Sequence, residues 1–326
     1  MEVVPYTDEL RSSWDLFVPK CRNSTFLHLR SYMDYHKDRF ADYSSMIYQD
    51  GRLVALFPAN IKSDNTVVSH EGLTYGGLLV AADEYSENTI MYFAGILRFY
   101  SERGSDRLVF RQIPSFYTDI PCGDIDYALF LADAHGYRVD INSVIDLRQS
   151  DRLPLQRRRK TGVKQAEKNN IQVVEASEFD GFWNEILIPN LKSRYSAAPV
   201  HKLEEMKRLR DDNPGRIRQF NALSNGRIMA GCTVFDLSRI VRIQYFSGCD
   251  EGRANGSLDY LIYKLMTEYF PDRHYIDFGN SNADGCRRIN HGLLGWKEGF
   301  GARSFVQRFY EVETKNHTLI TGVFDS

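Results

Sequence analysis

An α/β fold of two related units in tandem, each with α and β elements on a mixed sheet, is what this sequence predicts. Three observations predict it. The chain has 326 residues, a length that suits two domains. Two matching hairpin signals stand far apart, DGRLVA at 50–55 and NGRIMA at 225–230. The same order of elements then follows each of them. Asx-Gly between strands suits a type I′ turn, whose two central residues need positive φ.

In the first unit more strand-like residues follow the hairpin, then the glycine-rich SHEGLTYGGLLV at 69–80. Ile90, Phe93, Ala94, Leu97 and Tyr100 recur at helical spacing. A buried-type strand, DRLVFRQIP at 106–114, comes next. The helix-like DIDYALFLADAHGY at 124–137 and the strand RVDINSVIDL complete the unit. The second unit repeats this order. SRIVRIQYFSG at 238–248 reads as a strand and DEGRANG as a turn. Leu258, Leu261, Ile262, Leu265 and Met266 form one apolar helix stripe. The strand HYIDFG, the helix INHGLLGWKEGF at 289–300 and the strand SFVQRFYEVE follow. Both final helices are expected to stop at Gly plus an aromatic, Gly136-Tyr137 and Gly299-Phe300. Two further helices flanking Pro199 open the second unit. The division is expected near Gln149 to Gln156, giving units 1–150 and 151–326.

Composition is that of an ordinary globular protein, 43% hydrophobic and 26% charged, with aromatics at 13%. The net charge of −2 lacks the basic excess of a duplex-DNA binder, so DNA is not an expected partner. The opening residues show neither a basic run nor an apolar stretch, so no secretory leader is expected. No apolar run has the length of a membrane span. The five cysteines are scattered, with no C-x-x-C or H-x-x-x-H, so the expectation is reduced thiols, no metal and a cytoplasmic location.

Residues 277–279 spell Asp-Phe-Gly, the magnesium-binding triplet of protein kinases. No His-Arg-Asp loop and no strand lysine in a Val-Ala-Ile-Lys context stand upstream, so the kinase reading fails. The position of Asp277 is more telling. It closes a buried-type strand, and open α/β sheets bind ligands beyond the carboxyl ends of strands. An acid within YIDF also carries a desolvation cost unless it has a partner. Asn280, Ser281 and Asn282 form a polar turn before the last helix, which serves either as a ligand-facing loop or as that helix's cap.

The strand, turn and helix order after an Asx-Gly hairpin resembles the core of the GNAT acyltransferase fold. YIDFGNSNADG followed by NHGLLGWKEGFGAR resembles the C-terminal signature of the FemAB-like branch, whose members carry two GNAT-like units in tandem. RRRKTGVKQAEKNNI at 157–171, Arg194-Tyr195 and Pro199-Val200-His201 resemble the same branch. The resemblance implies that the fourth strand of the second unit parts from the fifth and holds an acyl donor, acyl-CoA such as acetyl-CoA, along its edge. It places Tyr245, Phe246 and Ser247 on that edge. It places Arg253, Asn255, Gly256 and Ser257 in the phosphate loop, where Leu258 departs from the family pattern.

The same resemblance implies catalytic roles. Asp277 orients or deprotonates the acceptor, and Lys297 stabilises developing charge. Read from the residues alone, Lys297 and Glu298 are an exposed pair near a helix end. His201 is a base, a substrate contact or a helix cap. Arg194, Tyr195, Asn280, Asn282 and Glu298 would contact substrate. His70 and Tyr75 of the first unit's glycine turn would help form the acceptor site. The expected acceptor is an amino or hydroxyl group of a sugar or cell-envelope precursor. An aminoacyl-tRNA donor acting on a peptidoglycan-type precursor is the alternative, with tRNA as partner and the basic run on its phosphates. A ligand-binding protein without catalysis is the third reading.

Overall fold

The computed structural model describes residues 1–148, 153–283 and 286–324. It divides into two compact units, Met1–Asp140 with Val306–Ser326, and Ile141–Phe305. The C-terminal segment therefore returns to the first unit. Residues 149–152, where the division was expected, fall outside the described ones.

The first unit has an antiparallel sheet of β1 (Glu2–Pro5), β2 (Ser45–Gln49), β3 (Arg52–Phe57) and β5 (Leu79–Val80). Between the last two lies β4 (Val67–Val68). Helix α1 (Ser86–Ser101) leads to β6 (Arg107–Arg111), which pairs parallel with β4. Helix α2 (Gly123–Leu131) packs on α1. The unit has its own core around Phe57, Phe93, Leu97 and Phe110.

The chain enters the second unit along β7 (His135–Asp146). Helix α3 (Arg157–Lys168), β8 (Gln172–Ala176), and helices α4 (Ile188–Tyr195) and α5 (Leu203–Asp212) follow. Then come β9 (Ile217–Ser224), β10 (Arg227–Asp236), β11 (Ile240–Gly248), α6 (Asp250–Ala254), α7 (Ser257–Lys264), β12 (Tyr275–Asn280) and α8 (His291–Glu298). β13 (Arg303–Glu313) carries the chain back to the first unit. Within the second unit the strand order is β8-β9-β10-β11-β12-β7, antiparallel except for β11 and β12, which run parallel. Its core gathers Phe220, Leu261, Leu265, Ile276 and Phe300.

Both hairpins form as the sequence predicts. Gln49 pairs with Arg52 across Asp50 and Gly51, at φ 53° and 78°. Ser224 pairs with Arg227 across Asn225 and Gly226, at φ 49° and 78°. The helices flanking Pro199 and the α7 helix are also present.

One expectation is corrected. Helix α2 stops at Leu131, and Asp133 takes the left-handed turn at φ 52°, so Gly136 and Tyr137 belong to β7 instead. Asp tolerates that conformation through its short polar side chain. Helix α8 does end at Gly299, as expected, and the positive φ falls two residues on, at Gly301. Of the predicted stripe, Leu261, Ile262, Leu265 and Met266 are buried, and Leu258 packs partly buried against the same core.

Gly226 has no atom within 4 Å of a Cβ built on it, so its requirement is purely one of backbone conformation. Gly226→Ala should cost about 1 to 2 kcal/mol in equilibrium unfolding. Gly295, exposed inside α8 with equally open space, should behave oppositely. Gly295→Ala should stabilise by about 0.5 to 1 kcal/mol in the same measurement.

Candidate active site

β11 pairs with β12 only at Ile240–Tyr275, Val241–Ile276 and Arg242–Asp277. Beyond that last rung β11 runs on to Gly248 bonded to β10 alone, so the two parallel strands part. The β10 register shifts between Thr233, opposite Tyr245, and Val234, opposite Ile243. Gln244 is thus the extra residue of a bulge, a device that bends and twists a strand.

Past the bulge lies a cavity of about 850 Å³ within the second unit. Its walls include Phe246 and Ser247 of β11 and Trp296 of α8. Arg157, Arg158 and Arg159 of α3, Arg194 of α4 and Arg253 of α6 add five guanidinium groups. Arg157 and Arg158 are exposed at the first turn of α3, which has no acid. Cations there oppose the helix dipole and favour an anion nearby. Arg194 and Arg253 both bond the Asp250 carboxylate, and Arg253 also reaches the Gly248 carbonyl. Arg159 bonds Asp259, whose carboxylate also accepts the Trp296 indole N–H at 3.0 Å. Burial raises the Asp259 pKa against the pull of Arg159.

The predicted phosphate loop is built tightly. Gly256 takes φ 78°, and a Cβ there would lie 2.1 Å from the Gly162 carbonyl oxygen of α3. Asn255 Oδ1 accepts from the Ser257 amide (3.1 Å) and hydroxyl (2.6 Å). The amides of Gly252, Arg253 and Asn255 are bonded to Cys249 Sγ, Cys249 O and Glu251 O. Several loop N–H groups that could face a phosphate therefore have internal acceptors.

Asp277 and Lys297 come together, but in the interior. Asp277 is 0% exposed, with Arg242 Nη1 2.6 Å from Oδ2 and the Gly279 amide donating to Oδ1 at 2.7 Å. Lys297 is 1% exposed, and its Nζ donates to the Gly279 and Asn280 carbonyls at 3.0 and 2.6 Å. The expectation of an exposed Lys297–Glu298 pair is corrected. Residue 297 falls on the inward face of α8, and Glu298 is only partly buried. Burial pushes the Lys297 pKa down to about 8, against the raising effect of Asp277 and with a smaller lowering by Arg242. Neither side chain is among the described cavity walls.

His201 is buried, with Nδ1 2.6 Å from the Tyr245 hydroxyl, and its own amide donates to that oxygen at 3.2 Å. Burial raises the Tyr245 pKa. Tyr245 and Ser247, two apart on β11, share a face, and Ser247 is held by Asn190 Nδ2 at 2.9 Å. Tyr195 ends α4, and its side chain lies outside the described residues.

Asn280 closes β12. Asn282 accepts the Ile141 amide at 2.8 Å and donates to the Cys286 carbonyl at 2.9 Å. The polar turn does not cap α8. Asn290 does, accepting from the Leu293 amide at 3.0 Å. In the first unit, His70 and Tyr75 are buried. His70 stacks on His36, and Tyr75 packs against His28 and Tyr117. The glycines beside them serve internal packing. A Cβ on Gly76 would lie 2.1 Å from the Ser69 carbonyl, and one on Gly77 would lie 2.6 Å from the Phe110 ring.

No family model matches the chain, and no curated protein matches it. Solved structures do match it over nearly the whole length. FemX is 11% identical, at a TM-score of 0.69, with 97% of this chain and 98% of that one covered. L-PGS from Bacillus licheniformis is 13% identical, at 0.58, covering 97% and 94%. A tandem GNAT protein from the clavulanic acid biosynthesis pathway is 13% identical, at 0.56, covering 96% and 98%. The fold and the parted strands define a tandem GNAT fold. It is the fold of the FemAB-like branch. Among the described residues no helix is long and apolar enough to cross a membrane, and no group of three or more metal-type ligands forms.

Lys297 yields a pH test. Folded, it releases its proton near 8, whereas its ordinary value is 10.5. Across that window the unfolded chain binds more protons, so this group makes stability rise with pH. Between about pH 7.5 and about pH 10, wild type should gain on the order of 2 kcal/mol over Lys297→Met. Denaturant unfolding at both pH values checks it.

Proposed function

We propose that this protein is an acyltransferase whose second unit holds a phosphate-bearing acyl donor, acyl-CoA in the first reading. The observation that carries it is the parting of β11 from β12 beside a cavity lined by five arginines. The released edge of β11 offers backbone groups to the amides of a pantetheine arm. Arg157 and Arg158 stand where phosphates would be met by fork-shaped donors.

The chemistry is direct transfer. The lone pair of an acceptor amine or hydroxyl attacks the thioester carbonyl carbon. The tetrahedral intermediate collapses, the C–S bond breaks, and the thiolate leaves while the acceptor's proton passes to a base. The His201–Tyr245 pair, which like Asp277 is not among the described cavity walls, is the proposed route for that proton, since both oxygens of Asp277 are already engaged. The acceptor class remains a sugar or cell-envelope precursor in the cytoplasm.

A second reading, an aminoacyl-tRNA donor, is favoured by one feature. The loop amides are satisfied internally and Asp259 stands among them, which weakens a pyrophosphate cradle there, while the arginine row on α3 lies outside the loop.

Calorimetry with acetyl-CoA separates the two. Saturable binding is expected, weakened at least about tenfold in Arg157→Glu/Arg158→Glu, a change of about 1.4 kcal/mol or more. Both residues are exposed, so the fold should survive. Absence of binding to folded protein would exclude the CoA reading. Transfer from charged tRNA, falling steeply with salt, would then be expected.

A further inference from the structure

We propose that Arg242, Asp277 and Lys297 form a positioning device that sets how far β11 and β12 part, and hence the width of the donor cavity. This deepens the donor reading above and rests on it.

The cluster stands at the point of separation. Arg242 and Asp277 are the last paired residues of the two parallel strands. Their side chains form an ion pair at 2.6 Å. Arg242 Nε also donates to Gln244 Oε1 at 3.1 Å, and Gln244 is the bulge residue. One guanidinium therefore holds both the last rung and the bend after it.

Lys297 secures the other strand. Asp277 takes the Gly279 amide, and Lys297 takes the Gly279 and Asn280 carbonyls. The peptide groups just past the rung are thus gripped by an anion on one side and a cation on the other. Gly279 sits at φ 69°, and a Cβ there would lie 3.3 Å from Arg242 Nη2.

The adjoining residues build the cavity wall. Phe278 follows Asp277, and Trp296 precedes Lys297. Their rings meet edge to face at 5.7 Å. Trp296 stacks on Phe246 at 5.0 Å and 11°, and these two rings line the cavity. Any shift of the polar cluster is carried one residue along each element to the aromatic wall. Burial of Asp277 and Lys297 keeps both from the donor, so Lys297 acts through Trp296 and not on the reacting carbonyl.

The test reads the wall without any donor. The chain has three tryptophans, Trp14, Trp183 and Trp296, so its indole N–H NMR spectrum is simple. Arg242→Met and Lys297→Met should each shift the Trp296 resonance, leave that of Trp14 in place, and raise the acetyl-CoA dissociation constant roughly tenfold, about 1.4 kcal/mol. In turnover the loss should fall on the donor KM more than on kcat. Lys297→Arg and Arg242→Lys should restore part of it. The double variant should bind no worse than the weaker single, since the residues act as one unit.

A Trp296 resonance that stays put in folded variants overturns the proposal. So does a Lys297→Met enzyme that loses kcat with donor affinity unchanged, which would place Lys297 at the reacting atoms. If wild type binds no acetyl-CoA, the donor reading fails, and the Trp296 resonance still decides the positioning. If the methionine variants unfold, with all three resonances collapsing, near-isosteric Asp277→Asn decides by the same readout.

Discussion

The ion pair between Arg242 and Asp277 marks the place where a parallel pair of strands stops being a sheet. Two paired strands have a ladder of bonds to keep them together. Two parted strands leave backbone groups that need other partners. The second unit resolves this with β10 covering one side of β11 and β7 covering one side of β12. The inner edge of β11 is left beside a cavity. Apolar residues at the last rung could pack as well as an ion pair. A buried ion pair is weak evidence for stability, because desolvation opposes its attraction. What it supplies is direction. A guanidinium bonded to a carboxylate and to a bulge amide admits few alternative geometries, and the parting of the strands inherits that definition.

The charge pattern of the cavity has a similar logic. Five guanidinium groups around one space repel each other. Asp250 and Asp259 offset this by holding Arg194, Arg253 and Arg159. An anion entering the cavity meets Arg157 and Arg158 at the first turn of α3. Arg159, Arg194 and Arg253 would have to leave a carboxylate to serve it, so the gain there is a difference between two ion pairs and is correspondingly small. Under the proposed donor reading, discrimination between donors would rest on the reach of their phosphates toward α3 as much as on the loop.

Much of this was legible in the sequence. The Asx-Gly hairpins, the helical stripes and the repeated order required only local patterns, and those elements stand where they were expected. An acid inside an apolar strand demands a partner, and Asp277 has one. The partner was not legible. Arg242 lies 35 residues away, and nothing local links the two. Lys297 misled for the converse reason. Charged residues near a helix end are usually exposed, but here the end of α8 turns inward. Gly136 looked like a helix stop until Asp133 took that role three residues earlier. The basic run is plain in the sequence, yet only folding brings its first three arginines to the same cavity as Phe246 and Trp296.

The proposed donor site lies in the second unit, and the matching turn of the first unit is built differently. In the first unit β5 has two residues, and the turn after it carries Asp83 and Glu84. Glu84 is buried, bonded to Arg52, to the Tyr92 hydroxyl at 2.8 Å and to Asn88 at 2.9 Å. An acid thus sits just before α1, where the second unit has Asn255 and Gly256 just before α7. The Phe110 ring lies against Gly77 just ahead of β5. The elements match, but an anion would meet a carboxylate with its hydrogen bonds already made. Both units hold a strand–turn–helix frame, and the side chains at the two turns differ, with a buried Glu84 in the first and Asp250 held by Arg194 and Arg253 in the second.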